Sequence, residues 1–203
     1  MSERWIPLDV ADTDPDPFVQ FRRWFDEAAR EMREREAIAL ITATSDARPS
    51  ARMVLLRYVG SDGFGWYSNY ESRKGQELSQ NPWASLLWYC EPLGRQIRIE
   101  GTVRHMDDAA SDAYFASRPR GHQIGAHASA QSSVLAERAE LERRLAQLEG
   151  EFVDRTVPRP ENWGGFLLTP SAFEFWQHRQ DRLHDRVVYA AEESGWRRER
   201  LAP

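Results

Sequence analysis

The stretch 174–186, EFWQHRQDRLHDR, carries three groups that can meet an anion together. If the chain is extended from Arg182 onward, alternate side chains share a face, so Arg182, His184 and Arg186 point one way. Leu183, Asp185 and Val187 then point the other way. Three cationic or potentially cationic groups on one face repel one another, and an anion opposite them relieves that cost. A phosphorylated ligand meets the need. A solvated basic edge strand accounts for the same residues, and these residues alone leave both readings open.

Two further stretches carry anion chemistry. Residues 71–82, ESRKGQELSQNP, have the length and composition of a short helix ended by Asn81 and Pro82, with Ser72, Arg73 and Lys74 in or just before its first turn. Free N-terminal amides, a hydroxyl and two cations make a phosphate cradle, or equally a solvated helix start. Asp107 or Asp108 can cap a helix running towards Ser117; if it reaches Arg118, then Tyr114 and Arg118, four apart, share a helical face and can donate to one anion. The histidines, His105, His122, His127, His178 and His184, show no HxxxH pair and no Cys/His spacing of a zinc site, so no metal is expected.

The elements that must position these groups are mostly strands. Residues 37–44, 51–59, 64–69, 84–90 and 95–106 are rich in β-formers, the last with Ile97, Ile99 and Val103 alternating against Gln96, Arg98, Glu100 and Thr102. Four more short strands are expected at 164–169, 173–177, 182–189 and 195–201. Asp16 and Pro17 open a helix whose apolar spacing, Phe18, Phe21, Phe25, Ala28 and Met32, predicts an end near Arg35. A second long helix is predicted over 133–152 from the stripe Leu141, Leu145, Leu148 and Phe152. Residues 117–126, SRPRGHQIGA, break the helical pattern with proline and glycine. Hairpin connections outnumber βαβ units, which predicts an antiparallel β-barrel or sandwich with peripheral helices, an α+β fold.

With 203 residues the chain suits a single domain over 16–203, preceded by a flexible arm at 1–15. Net charge is −5 and the isoelectric point is near 5.6, so a general nucleic-acid or acidic-membrane surface is not expected and any anion site is a local cluster. One cysteine, Cys90, excludes an internal disulfide, and no signal peptide or long apolar run is visible, which points to the cytoplasm. Eight tryptophans are many for this length and suit a core, a flat ligand or a large interface.

The ordered motifs SARMVLLR, FGWYSNYESRKGQEL, NPWASLLWY, GRQIRIEG, YFASRPRGHQIGA, ASAQSS, WGGF, EFWQ, RLHDR and RLAP run through nearly the whole chain from Phe18. In that order they resemble the pyridoxamine 5'-phosphate oxidase family, FMN-dependent enzymes with an antiparallel, Greek-key-like split β-barrel. The resemblance implies that FMN is held by the run Arg52, Met53, Val54, Leu55, Leu56 and Arg57, by Tyr67 and Ser68, and by Arg73 and Lys74. Gln96, Gln131, Ser132, Trp176 and Arg186 complete that implied set. A ribityl phosphate wants several cationic and hydroxyl donors, and a cation near the reducible ring stabilises its reduced form.

For the substrate, the resemblance implies Arg57, Tyr114, Arg118 and His122 around a phosphate, with Arg182 and His184 over the pyridine ring as the catalytic pair. Arg57 and His122 depart from the commonest family residues, lysine and serine; both still donate to an anion. The implied reaction oxidises pyridoxamine or pyridoxine 5'-phosphate at C4' to pyridoxal 5'-phosphate, with O2 as acceptor and H2O2 as product, in a homodimer with FMN at its interface. Two rival readings are a flavin oxidase of secondary metabolism acting on phenazine-type aromatics, and a non-catalytic carrier of FMN or pyridoxal phosphate.

Overall fold

The computed structural model describes residues 6–203. Its framework is a nine-stranded antiparallel sheet, curled on itself, with five α-helices at its faces and ends. The strands are β1 (Ala37–Ala43), β2 (Pro49–Leu55), β3 (Tyr58–Gly60), β4 (Gly63–Asn69), β5 (Trp83–Cys90), β6 (Arg95–His105), β7 (Trp163–Gln177), β8 (Asp185–Glu192) and β9 (Gly195–Leu201). They run in the order β2-β1-β5-β6-β7-β4-β3, with β8 and β9 continuing from the far half of β7. The mainly β, antiparallel fold class holds.

The long strand β7 makes this curl possible. Along one edge it pairs with β6; along the other its first half pairs with β4 and its second half with β8. The stretches 164–169 and 173–177, expected as separate strands, are therefore one. A register shift at Glu100/Gly101 bends the β6–β7 ladder, and a Cβ on Gly101 would lie 2.1 Å from the Thr169 carbonyl oxygen. Only glycine permits that approach.

Helix α1 (Pro17–Glu27) begins where Asp16 accepts from the Phe18 amide at 2.8 Å with proline in the first turn. Phe18, Phe21 and Trp24 enter the main core beside Ile38, Leu40, Phe64, Trp66, Trp88, Phe173 and Phe175. The helix ends earlier than Arg35, because Arg35 folds back to donate to the Phe25 carbonyl at 3.0 Å and to Asp26 at 2.9 Å. Of the expected flexible arm, residues 1–5 lie outside the described residues. The remainder is docked: Leu8 is buried, its amide donates to Asp185 at 3.0 Å, and Arg198 donates to the carbonyls of Val10 and Thr13.

The strand expected over 51–59 breaks at Leu56, whose side chain turns into the core, while the Arg57 amide bonds across to Gly65. The remaining helices are α2 (Arg73–Gln80), α3 (Asp108–Ser117), α4 (Arg120–Ala128) and α5 (Arg138–Glu151). Helix α4 occupies the stretch expected to be irregular; it starts after Pro119 and buries Gln123, Ile124 and Ala128. Helix α5 begins at Arg138, five residues later than expected from position 133. Phe115, Ile124, Phe152, Val157 and Trp163 form a second, smaller core that fixes α3, α4 and α5 beside the start of β7.

Candidate active site

A cleft opens between this second core and the edge strand β2. Its central part, about 330 Å³, is lined by Met53, Val54, Leu55, Arg57, Tyr67, Ser68, Lys74, Tyr114, Arg118, His122, Gln131 and Trp163. Through Met53, Lys74 and Gln131 it adjoins a lobe of about 400 Å³ that adds Ser50, Arg52, Arg73 and Ser132. Through Arg118, His122 and Trp163 it adjoins another of about 450 Å³, at the first turns of α4. The cations Arg52, Arg57, Arg73, Lys74 and Arg118 line these spaces, and among the described residues no carboxylate does. In a chain of net charge −5, such a surface is built for an anion.

Lys74 sits at the meeting point. Ser72 caps α2, and a Cβ on Gly75 would lie 1.9 Å from the Tyr70 carbonyl oxygen, so the helix start is pressed against the end of β4. That packing buries Lys74, whose ammonium donates to Ser68 at 2.8 Å, Ser72 at 3.1 Å and Gln131 at 3.3 Å. Among the described residues no carboxylate pairs with it. Burial, and to a lesser degree the charge of Arg52, lower its pKa to about 8. An anionic ligand would supply the missing countercharge.

The opposite wall is aromatic. Tyr67 stacks on Tyr114 with centroids 3.8 Å apart, and Trp163 lies parallel to both. Arg118 lies over Trp163, 4.6 Å from the ring centroid. Helix α3 ends at Ser117 and so does not reach far enough for Tyr114 and Arg118 to share a helical face; both still line the central cleft, each beside the Trp163 ring. The Nη1 of Arg118 is buried without a hydrogen-bond partner, a further donor waiting for an acceptor.

The remaining residues of the expected set lie elsewhere. The Leu56 side chain is in the main core. Gln96, Trp176 and Arg186 form one row across β6, β7 and β8, and they line none of these spaces. Arg186 grips Glu174 with Nε at 2.9 Å and Nη2 at 3.1 Å, and Arg98 reaches the same carboxylate at 2.7 Å. The expectation that Arg182, His184 and Arg186 share one face of a strand is corrected. Arg182 closes a 3-10 turn (Gln180–Arg182) with φ of 61°, after Asp181 at 55°, and extended chain begins only at Asp185.

His184 is nonetheless drawn to that row. Its ring lies 4.5 Å from Trp176, and its Nδ1 accepts from the Arg179 amide at 3.1 Å, which leaves Nε2 as the protonated nitrogen of the neutral ring. Burial first, then the neighbouring His178 and Arg182, lower its pKa. Trp163, Glu77 and Glu174 were not among the expected site residues. Trp163 stands in the WGGF motif, but nothing local marks the two carboxylates as buried: Glu77 has one helix neighbour, Arg73, while its partner Thr42 and the Arg98 partner of Glu174 are distant in sequence.

A curled antiparallel barrel with a cationic cleft at its edge strand defines a split-barrel protein of the phosphate-cofactor-binding kind. The family profile described as pyridoxamine 5'-phosphate oxidase matches residues 25–151, and that described as pyridoxine 5'-phosphate oxidase C-terminal dimerisation region matches residues 163–203. The chain belongs to the pyridoxamine 5'-phosphate oxidase family. A pyridoxine/pyridoxamine 5'-phosphate oxidase of Rubrobacter xylanophilus is 54% identical over 94% of this chain and 88% of its own. One from Paraburkholderia phymatum is 52% identical over 97% of this chain and 93% of its own. The crystal structure of PhzG from Burkholderia lata, in complex with tetrahydrophenazine-1-carboxylic acid, superposes with a TM-score of 0.91 at 32% identity, covering 98% of this chain and 100% of that one.

Proposed function

We propose that this cleft holds the phosphate and ring of FMN beside a phosphorylated pyridine, in a chain that acts as an FMN-dependent pyridoxamine/pyridoxine 5'-phosphate oxidase. The observation that carries the reading is a cleft walled by cations and aromatic rings with no lining carboxylate among the described residues. The donor set fits FMN: Arg52, Arg73 and Lys74 with Ser68, Gln131 and Ser132 suit its phosphate, and the Met53 to Leu55 edge suits an apolar ring system. FMN, when bound, supplies hydride acceptance from C4' of the substrate and is returned to its oxidised form by O2.

The protein's own part is binding and alignment. Arg118, with its unpartnered Nη1, and Arg57, Tyr114 and His122 beside it bind the substrate phosphate. Tyr67, Tyr114 and Trp163 give that end of the cleft a flat wall that excludes water. Arg182 and His184 orient the pyridine ring, His184 donating through Nε2 because Nδ1 is already engaged.

The reading requires two copies of the chain. Gln96, Trp176, Arg182, His184 and Arg186 serve the cleft of the partner protomer, with FMN at the interface. One face of the sheet supports this: the row Met53, Ala39, Leu87, Arg98, Glu174 and the row Tyr89, Gln96, Trp176, Arg186 point the same way. That face exposes large apolar groups, with Met53 at 62%, Trp83 at 56% and Tyr89 at 51%. The cytoplasm is the proposed location, in keeping with the free, buried thiol of Cys90.

The test is turnover in air. Purified protein is expected to convert pyridoxamine 5'-phosphate to the aldehyde with peroxide release and to act far more slowly on unphosphorylated pyridoxamine. A preference for a tetrahydrophenazine carboxylic acid would favour the phenazine-type oxidase instead, a reading that the resemblance to PhzG keeps in view. Binding of FMN and substrate without turnover would favour a carrier.

A further inference from the structure

Helix α2 carries a carboxylate in the wrong place for an anion site. Glu77 stands one turn beyond Arg73, directly behind the wall formed by Arg52, Arg73 and Lys74, with its side chain only 5% exposed. One oxygen accepts from Thr42 Oγ1, from Ser50 Oγ at 2.6 Å and from Arg52 Nη2 at 3.2 Å. The other accepts from Arg73 Nε at 2.9 Å. Both oxygens accept from donors on β1, β2 and α2, and Glu77 does not line the cleft.

From the charge alone, Glu77 is a liability, since it subtracts one unit from a site that must attract a phosphate. Its bonds describe another role. Arg73 is 64% exposed along its side chain and has no other side-chain partner among the described residues. Held at Nε, it lines the lobe with both Nη groups making no hydrogen bond among the described residues. Arg52 is held from the same side by Glu77, Ser50, Thr42 and the Leu40 carbonyl. Two long, rotamer-rich side chains are thus ordered before any ligand arrives, which removes an ordering cost from binding.

We propose that Glu77 is a positioning residue that pre-orders Arg52 and Arg73 for the phosphate of the cofactor, and that its positioning effect outweighs its repulsion of that phosphate. The proposal rests on the reading of this lobe as the FMN phosphate site. The four donors keep Glu77 ionised, with a pKa lowered to about 2 despite the opposing effect of burial, so it acts as a fixed anion across the physiological range.

The two contributions differ in sign, which makes them separable. Glu77→Gln removes the negative charge and turns an acceptor into a donor against Ser50, Thr42 and the arginines. Glu77→Asp keeps the charge and a buried anion but is one methylene too short to bridge Arg52 and Arg73 together. The flavin-free full-length wild type and both variants are titrated with FMN and with riboflavin, which lacks the phosphate, by following flavin fluorescence. The wild type is expected to prefer FMN, and in each variant that can be folded the FMN Kd is expected to rise about tenfold while the riboflavin Kd stays unchanged.

Unchanged or tighter FMN binding by Glu77→Gln, or wild-type FMN affinity in Glu77→Asp, would overturn the positioning role and leave the phosphate site standing. A wild type that binds FMN and riboflavin equally would overturn the phosphate site and Glu77's role with it. The Asp variant carries the test if the Gln variant does not fold.

Discussion

The guanidinium of Arg118 lies 4.6 Å from the centroid of the Trp163 ring, and the ring itself is parallel to Tyr114. One aromatic side chain thereby joins the end of α3 to the start of β7 and holds a partly desolvated cation at the cleft wall. Burial lowers the Arg118 pKa, and a group so placed gains most from an incoming anion.

Arg118→Lys is therefore expected to raise KM for the phosphorylated substrate by about tenfold or more, because a point ammonium neither stacks on Trp163 nor offers a planar fork. FMN affinity should change little. Steady-state kinetics together with flavin titration separate the two effects; a variant with unchanged KM would remove Arg118 from the substrate phosphate.

Lys74 gives a pH prediction with a definite sign. Its folded pKa of about 8 lies below the model-compound value of 10.5, so between those values the unfolded chain binds more protons than the folded one. The stability of the flavin-free protein should accordingly gain, from this group, about 1–3 kcal/mol as pH rises from 8 to 10.5, set against losses elsewhere. A bound phosphate restores the charge. At pH 9, FMN binding should take up close to one proton, and at pH 7 almost none, as calorimetry in buffers of different ionisation enthalpy can measure. Equal proton uptake at both values would contradict the arrangement.

Much of this arrangement was legible in the chain before folding, for physical reasons. The alternation of Ile97 and Ile99 with Gln96 and Arg98 foretold which face of β6 is buried, and Ser72 with the helix it caps foretold a cationic helix start. Arg182 and His184 were misplaced because the left-handed pair Asp181 and Arg182 leaves no trace in residue periodicity. Helix α4 was missed because Gly121 and Gly125 have low intrinsic helix preference, which the burial of Gln123, Ile124 and Ala128 overrides. Glu77 looked like an ordinary helix-surface acid; its partners Thr42 and Ser50 are 35 and 27 residues away, and no local pattern links them.

Glu174 offers a test of the second cluster. Its carboxylate is nearly fully buried between Arg186 and Arg98, so Arg186→Met leaves it with half its countercharge. A stability loss of about 1–3 kcal/mol is expected in denaturant titration of the flavin-free protein. FMN affinity should fall as well if Arg186 reaches the partner's flavin; loss of stability with FMN affinity intact would confine Arg186 to the sheet.

Tyr89 lies on the exposed face beside Gln96 and lines none of the described spaces of the cleft. Tyr89→Glu places a charge on a surface meant to be covered by a second copy, so the sedimenting mass should drop towards that of one 23.5 kDa chain. Flavin should be lost in the same step if, as proposed, each cleft draws on Trp176 and Arg186 of the partner subunit. A wild-type protein that sediments as a monomer with its flavin retained would refute the shared site.

The most direct test is the visible spectrum of the flavin-loaded protein, recorded without oxygen before and after addition of pyridoxamine 5'-phosphate. With an FMN-dependent oxidase site in the cleft, the flavin bands are expected to bleach on addition and return in air with pyridoxal 5'-phosphate as product. Bands that remain unchanged at saturating substrate would contradict the oxidase assignment.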